Sequence, residues 1–194
     1  MTDLYLVRHG ETAWSLSGQH TSTTELELTE HGREQAIGLR GYLHPDQFDL
    51  VLCSPRKRAQ ETAKLAGFTN FEVDEDLAEW RYGDVEGRTS EQVRRLVPGW
   101  RIWNSHVPGG EQGHEVVERL SRVMNRVRFS GAERVICFGH GHASRVLALC
   151  WIGIDLRFGG AFPLETATIC HLGYEKETPA LVRWNYRPIT EGAP

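Results

Sequence analysis

Short apolar runs alternate with helix-forming segments along this chain, and that alternation limits the fold more than any other feature of the sequence. The runs at residues 4–7, 49–53 and 134–138 are strand-like, and each precedes a segment whose apolar residues recur at helical spacing. Strands that alternate with helices predict an α/β fold, here a three-layer α/β/α sandwich around a mostly parallel central sheet. The carboxyl ends of parallel strands meet at one edge of a sheet, so we expect the functional crevice there.

Caps and breakers define the remaining predicted elements. Ser54 and Pro55 are typical of the start of a helix, as N-cap and first helical residue, and Gly67 is typical of its end. The polar stretch at residues 15–24 is predicted to be a loop. We find no repeat and no linker, which predicts a single domain over residues 1–194. Further helices are predicted at about 29–43, 90–97, 116–127 and 142–151, and further strands at 71–73 and 167–172.

The composition argues against large polyanionic partners. The chain has 194 residues and a net charge of −4, so it carries no overall positive field for nucleic acid or for an anionic membrane. Residues 1–3 lead directly into a strand, and no apolar run approaches the ~18 residues that span a bilayer, so we expect a cytoplasmic protein. The cysteines are far apart without a C-x-x-C pair, which predicts reduced, buried thiols.

Three predicted strands end in polar residues that can do chemistry. Arg8 and His9 follow the first strand, and His140 follows the run at 134–138. Ser54 follows the second, with Arg58 one helical turn later. A histidine held at a strand end beside a glycine, with an arginine as a forked donor, is suited to attack phosphorus. The sequence therefore marks this edge of the sheet as a phosphate site.

Four short motifs with separate mechanical roles occur in order along the chain. They are R-H-G-E-T at residues 8–12, S-P-R-K-R-A-Q-E-T at 54–62, L-A-E-W-R-Y-G-D-V-E-G at 77–87 and H-G-H-A-S-R at 140–145. All four resemble the signatures of the histidine phosphatase superfamily, the phosphoglycerate-mutase-like proteins, and the resemblance extends through most of the chain. It implies the α/β sandwich of that family and a phosphoryl-transfer activity.

The resemblance implies a role for each motif residue. His9 attacks the phosphoryl group. The oxygens of that group are stabilised by Arg8, Arg58 and His140. Glu79 protonates the leaving alcohol and later deprotonates the attacking water. The two arginines take the role that a cation plays at other phosphoryl sites, so no metal ion and no cofactor is expected.

The residues alone leave two points open. Several carboxylates near the third motif are candidates for the acid, and only the motif favours Glu79 over Glu75, Asp76, Glu86 and Glu111. His140 and His142 could suggest a zinc pair, but the chain offers no matching set of acidic or cysteine ligands. His142 is instead expected to form a wall of the pocket.

The reaction type follows from positions at which the chain departs from mutases of this family. Mutases place Asn after the tryptophan of the first loop, Arg later in that loop, Lys near position 90 and an Arg pair after I-W. Each missing charge-assisted bond would weaken the binding of phosphoglycerate by about 1.5–3 kcal/mol. The sequence therefore predicts a phosphatase, with few cationic groups beyond those that hold the phosphate. The residues found at those positions are Ser15, Gln19, Ser90, Asn104 and Ser105.

The loop at residues 17–21 and the segments at 79–83 and 109–111 narrow the substrate. They resemble a subgroup that includes small acid phosphatases and sedoheptulose-bisphosphatase-type enzymes. Their hydroxyl and amide groups suit a small phosphorylated metabolite, and a sugar phosphate best. The alternatives are a cofactor-dependent phosphoglycerate mutase and a non-catalytic protein that binds phosphoryl ligands, and a homodimer is left open. The candidate substrate-binding residues are Ser15, Gln19, His20, Thr21, Ser22, Tyr82, Glu111, Gly141 and His142.

Overall fold

One six-stranded sheet forms the centre of the structure, a computed structural model that describes residues 1–187. The strands are β1 (Asp3–Arg8), β2 (Leu50–Cys53), β3 (Glu72–Val73), β4 (Arg134–Gly139), β5 (Ile169–Glu175) and β6 (Thr178–Tyr186). Their order in the sheet is β3-β2-β4-β1-β5-β6. The four strands β1 to β4 are parallel, whereas β5 runs antiparallel to β1 and β6 antiparallel to β5. The predicted mostly parallel α/β fold is confirmed.

Helices connect the strands on both faces of the sheet. Within residues 1–187, none of them is long and apolar enough to cross a membrane. Short 3-10 segments add to the connections at Leu39–Gly41, Pro45–Gln47, Glu75–Leu77, Gly83–Val85 and Leu156–Ala161. The α-helices are α1 (Ala13–Ser17), α2 (Glu30–Gly38), α3 (Lys57–Leu65), α4 (Ser90–Leu96), α5 (Gly113–Arg128) and α6 (Gly141–Ile152).

Alternating side chains on the central strands build a core on each face of the sheet. On β1, Leu4 and Leu6 belong to the core formed with α5 and α6, whereas Val7 belongs to the core formed with α3. On β4 the same alternation places Cys137 in the first of these cores and Phe138 in the second. Because a strand directs successive side chains to opposite faces, burial of both faces makes these strands apolar throughout. The two cores produce the three layers.

The register of the parallel strands brings three strand ends to one level. Arg8 on β1 pairs with Gly139 on β4. Just beyond, the N–H of His9 donates to the Gly139 carbonyl at 3.0 Å, and the N–H of Ser54 donates to the Phe138 carbonyl at 2.9 Å. The first residues after β1, β2 and β4 therefore lie side by side at the edge where a ligand site is expected.

The structure corrects two predicted element starts. The helix predicted to begin with Ser54 as its cap begins at Lys57, with Arg56 as N-cap, because the Ser54 hydroxyl is hydrogen-bonded to His140 instead. The predicted loop at 15–24 starts inside α1, where the polar residues form a capping box and stabilise one helical turn.

Strand β6 was not predicted, and the predicted helix at 29–43 is too long. β6 is an edge strand with Pro179 at its second position and an exposed Val182, so it lacks the apolar run of a central strand. Helix α2 ends at Gly38 and continues only as the 3-10 segment Leu39–Gly41, because glycine is costly inside an α-helix.

Candidate active site

His9 is the first residue after β1 and only 5% of its surface is exposed. Its Nδ1 lies 2.7 Å from the Gly10 carbonyl oxygen. Because a carbonyl only accepts hydrogen bonds, Nδ1 carries the proton and Nε2 keeps a free lone pair. Burial, followed by the charges of Arg58 and Arg8, lowers the pKa of His9 well below its ordinary value of 6.5. At neutral pH the ring is therefore uncharged, and its Nε2 lone pair is available to attack an electrophile.

Two buried guanidinium groups lie near this imidazole. Arg8 packs on Gly141, where an added Cβ would lie 3.3 Å from the Arg8 Nε. Arg58, on α3, is fully buried and donates to carbonyl oxygens of the loop at residues 21–24, at 3.1 and 3.2 Å. Burial lowers the pKa of both arginines, and Glu79 is the main charge that opposes this. They bring fixed positive charge to a region of low dielectric, where it acts strongly on an anion.

His140 is the first residue after β4 and is completely buried, with its ring centroid 5.2 Å from that of His9. Its Nε2 lies 2.7 Å from Ser54 Oγ, which already accepts the N–H of Arg56 at 3.3 Å. The Ser54 hydroxyl can donate its proton to Nε2, and in that tautomer the His140 Nδ1 is a donor. Burial and the charge of Arg58 lower the pKa of His140 well below 6.5.

Several buried nitrogens of this region have no hydrogen-bond partner within residues 1–187. They are Nε of Arg8, Nε of Arg58, Nε of Arg145 and Nδ1 of His140. Unpaired buried donors are costly, and the oxygens of a phosphoryl group would satisfy them. Over the same residues, no group of three or more His, Cys, Asp or Glu side chains could hold a metal ion. The site is built from nitrogen donors that suit an anion.

Glu79 is placed by backbone N–H groups at the start of α6, and it is 6% exposed. Its Oε1 accepts from the N–H of Trp80 and of Ala143, both at 2.8 Å. Its Oε2 accepts from the N–H of His142 at 3.0 Å. A helix N-terminus offers free N–H groups, which explains how both oxygens of this carboxyl group are held in place.

Arg8, His9 and Glu79 meet at a cavity of about 190 Å³ at the carboxyl edge of the sheet, which we call the reaction cavity. Three of its lining residues, Gly18, Ser90 and Arg145, were not predicted as site residues. The predicted site residues that line it are Arg8, His9, Ser15, Gln19, His20, Thr21, Glu79, Tyr82, Gly141 and His142.

The other predicted site residues do not line this cavity. Arg58 and His140 are buried beside His9. Burial and the charge of Arg58 both lower the pKa of His9. Ser22 is fully buried and its hydroxyl donates to a backbone carbonyl at 3.3 Å. Glu111 forms an ion pair with Arg119 at 3.0 Å. The structure thus places Ser22 and Glu111 as supports of the surrounding backbone, not as cavity walls.

Uncharged polar side chains form part of the cavity wall. The Tyr82 hydroxyl lies 2.6 Å from Nδ1 of His142, and the Ser90 hydroxyl lies 3.2 Å from Nε2 of His20. Burial lowers the pKa of His20 to about 4 and that of His142 well below 6.5. At neutral pH this wall offers hydroxyl and neutral imidazole groups, which suit a polyhydroxylated leaving group.

A second cavity, of about 590 Å³, adjoins the first, and Ser90, His142 and Arg145 line both. One feature of the sequence could have identified Arg145 as a cavity residue. It lies on α6 four residues after Gly141, one helical turn along the same face. Arg145 adds one cationic group to the reaction cavity beyond those predicted to hold the phosphate. The second cavity also contains Arg94, Arg101 and Arg157.

Comparison with known proteins gives one consistent family. A family model described as the histidine phosphatase superfamily (branch 1) matches residues 4–187. An acid phosphatase of Mycobacterium tuberculosis is 44% identical over 176 residues, which cover 89% of this chain and 86% of that protein. A sedoheptulose 1,7-bisphosphatase of Saccharomyces cerevisiae is 32% identical over 184 residues, 78% of this chain and 68% of that protein. A solved structure of a Mycobacterium tuberculosis open reading frame product has a TM-score of 0.91 at 40% identity, covering 96% of this chain and 98% of that one.

Proposed function

Because this chain belongs to the histidine phosphatase superfamily, branch 1, and is a phosphoric monoester hydrolase, we propose that it hydrolyses a small phosphomonoester through a phosphohistidine on His9. The observation that carries this proposal is the hydrogen bonding of His9, whose Nδ1 donates to Gly10 and whose Nε2 is left free. Its depressed pKa keeps that lone pair available at neutral pH.

In the first half-reaction, Nε2 of His9 attacks phosphorus in line with the leaving oxygen. A P–N bond forms while the P–O bond to the alcohol breaks, and Glu79 gives its proton to that oxygen. Arg8, Arg58 and Nδ1 of His140 donate to the phosphoryl oxygens and stabilise the charge that spreads over them.

In the second half-reaction, a water takes the place of the alcohol. The Glu79 carboxylate removes a proton from the water, whose oxygen attacks phosphorus. The P–N bond breaks, its electron pair returns to Nε2, and inorganic phosphate leaves. The buried arginines supply the positive charge throughout, so the proposed reaction needs no metal ion.

The substrate we propose is a sugar phosphate. Hydroxyl, amide and imidazole groups surround the phosphate site, and Ser15, Gln19, Thr21 and Tyr82 are among them. Such groups can exchange hydrogen bonds with the hydroxyls of a sugar in both directions, as donors and as acceptors. One of the curated relatives is named for the hydrolysis of a sugar bisphosphate, which supports this class.

The test is to trap the phosphoenzyme. Brief incubation with labelled sugar phosphate and an alkaline quench should yield a protein-bound label that is stable in base and labile in acid. His9→Ala should abolish both the label and turnover, whereas His31→Ala, at an exposed histidine, should preserve both. Turnover should continue in the presence of a chelator.

Two results would contradict this proposal. Turnover by His9→Ala at the wild-type rate would show that the reaction does not pass through a phosphohistidine on His9. Interconversion of 3- and 2-phosphoglycerate by primed enzyme, at a rate above phosphate release from any sugar ester, would identify a mutase.

A further inference from the structure

The chain around Glu79 has little regular structure of its own. Residues 78–82 form neither a helix nor a strand, so no helical or sheet hydrogen bonds fix them. Nη1 of Arg119, on α5, donates to the carbonyl oxygens of Asp76 and Ala78 at 2.6 and 2.9 Å. Both carbonyls precede Glu79 in the chain. A helix that is distant in sequence therefore holds the backbone directly before this carboxyl group.

Glu111 holds the backbone on the other side of Glu79. Its N–H donates to the Arg81 carbonyl oxygen and its Oε2 accepts the Arg81 N–H, both at 2.8 Å. Its own carbonyl oxygen accepts from the indole Nε1 of Trp80 at 2.8 Å. Gly110 allows this close approach, because a Cβ added there would lie 2.3 Å from the Arg81 carbonyl oxygen. The residues on both sides of Glu79 are thus held.

Arg119 and Glu111 are joined to each other by a forked ion pair. Nε of Arg119 donates to Oε1 of Glu111, and Nη2 donates to Oε2, both at 3.0 Å. The two side chains are only 10% and 13% exposed. Burial of an ion pair costs free energy unless further hydrogen bonds satisfy its remaining donors and acceptors. Here those further bonds go to the backbone of residues 76–81.

Attachment of this segment to α5 does not in itself require a buried pair. Arg122 and Arg126, one and two turns further along α5, bind the carboxylates of Asp76 and Asp74. These two arginines are 56% and 39% exposed, and they contact side chains. Arg119 differs from them because it is buried and binds the main chain itself.

The carboxyl group of Glu79 is attached to a different element from its backbone. Its oxygens accept from N–H groups at the start of α6, whereas Arg119 and Glu111 hold the neighbouring backbone. A shift of that backbone would therefore move the carboxyl group relative to α6 and the reaction cavity. Misplacement by about 1 Å can slow a reaction by about 100-fold. His9 and Arg58 are placed by β1 and α3, to which Arg119 donates no hydrogen bond within residues 1–187.

We propose that Arg119 and Glu111 are positioning residues of the reaction, because their ion pair aligns Glu79 for proton transfer to the leaving oxygen. Neither side chain lines the reaction cavity, so both act through the backbone on either side of Glu79. This inference rests on the proposed function and adds to it the groups that hold the general acid. Loss of the pair should slow the steps that need the proton and leave the attack by His9 almost unchanged.

The kinetic test compares a poor leaving group with a good one. Arg119→Gln should slow hydrolysis of glycerol 3-phosphate by about 10- to 100-fold and that of nitrophenyl phosphate by less than about threefold. Arg119→Lys keeps the charge but lacks the planar fork, so it should show a selective loss in the same direction. The matched control is Arg122→Gln, which removes an exposed arginine one turn further along α5 and should change neither rate. In a Glu79→Gln background, Arg119→Gln should cause no further loss on glycerol 3-phosphate, because the proton is already absent.

Hydrogen exchange measures the position of Glu79 without any turnover. The N–H groups of His142 and Ala143 both donate to its carboxyl group, so they lose an acceptor when that group moves away. After Arg119→Gln both should exchange about five- to tenfold faster, the factor that corresponds to one hydrogen bond. After Arg122→Gln they should exchange at the wild-type rate. If Arg119→Gln does not fold, Arg119→Lys provides the same comparison.

Three results would overturn this inference. The first is a loss that is absent or equal on the two esters in Arg119→Gln and Arg119→Lys. The second is unchanged exchange at His142 and Ala143, and the third is a full further loss in the Glu79→Gln background. Equal losses on both esters after Glu79→Gln alone would instead contradict the acid role in the proposed function, while the exchange measurement still decides whether the ion pair holds the carboxyl group.

Discussion

Glu79 is fixed at both carboxylate oxygens by backbone N–H groups, so main-chain groups, and not the rotamer of another side chain, orient its carboxyl group. A glutamine at this position keeps the shape of the side chain, but its NH₂ group cannot accept a hydrogen bond. The substitution therefore removes the transferable proton and leaves one backbone N–H without its acceptor. The residue is a sensitive point at which to test proton transfer to the leaving group.

Glu79→Gln should slow the hydrolysis of an alkyl phosphate by about 10²–10⁴-fold, because an alkoxide is a poor leaving group without general acid catalysis. A nitrophenyl phosphate should lose much less, because nitrophenolate leaves without protonation. Steady-state rates on the two esters measure the difference, with Glu75→Gln at an exposed nearby carboxylate as the control. Equal losses on both esters would assign the acid role to another group.

Individual site residues differed in how well the sequence predicted them. His9 lies in a contiguous motif because its own strand end places it. Glu79 was singled out only by its motif, because the α6 N–H groups that hold its carboxyl group are 63 and 64 residues away in sequence. Arg94, Arg101 and Arg157 come together only through the packing of distant segments, so no local pattern indicates their meeting. Short sequence motifs do not reveal a cluster of charged residues that forms only when separate segments pack together.

At the scale of elements, the turn after β1 is packed between α2 and α3. The N–H of Gly10 donates to the Thr62 hydroxyl on α3 at 3.0 Å. On the other side, Cβ atoms added at Gly10 or Gly32 would lie 2.3 and 2.2 Å from backbone oxygens of Gly32 and Glu11. Two glycines thus allow backbone-to-backbone contact directly beside His9.

Gly32→Ala should force α2 away from this turn and destabilise the protein by about 1–3 kcal/mol, the usual cost of overpacking. Phosphatase activity should fall together with stability, because the displaced backbone carries His9. Urea unfolding and kcat measure the two effects. Gly41→Ala is the control, since no atom lies within 4 Å of a Cβ added there. A Gly32→Ala protein as stable and active as the control would contradict the close-packing argument.

Strands that are buried on both faces of the sheet were predictable from the sequence. Elements that depend on a contact with a distant part of the chain were not. The apolar runs of β1, β2 and β4 follow from burial on two faces. The start of α3 depends instead on a hydrogen bond between Ser54 and His140, residues that are distant in sequence. Edge strand β6 depends on its pairing with β5, because its own side chains are partly exposed.

At the scale of the whole molecule, folding buries uncharged histidines. His9 and His140 are 5% and 0% exposed, and the pKa of each is lowered well below 6.5, first by burial and then by nearby arginines. In the unfolded chain these residues take up protons as the pH falls below about 6.5, whereas in the folded protein they do not. The unfolded state then binds more protons, so stability decreases as the pH falls.

Between pH 6.5 and pH 5 the free energy of unfolding should therefore decrease, by up to about 1.4 kcal/mol per pH unit for each of these histidines. Urea unfolding at several pH values measures the slope. His140→Gln should reduce the slope by about one proton's contribution, and His31→Gln, at an exposed histidine, should leave it unchanged. A stability independent of pH across this range would contradict the prediction that folding keeps these histidines uncharged.

In the proposed reaction the transferred phosphoryl group would meet His9 and His140, which directly follow central strands. The surrounding cavities are lined mainly by connecting segments, such as residues 15–21, 101–104 and 157–161. Connecting segments tolerate substitution, insertion and deletion far better than strands that are buried on both faces. Gene copies of this chain can therefore diverge towards new esters while they inherit the same transfer step. Grafting those three segments from a relative should move substrate preference between enzymes without rebuilding the catalytic centre.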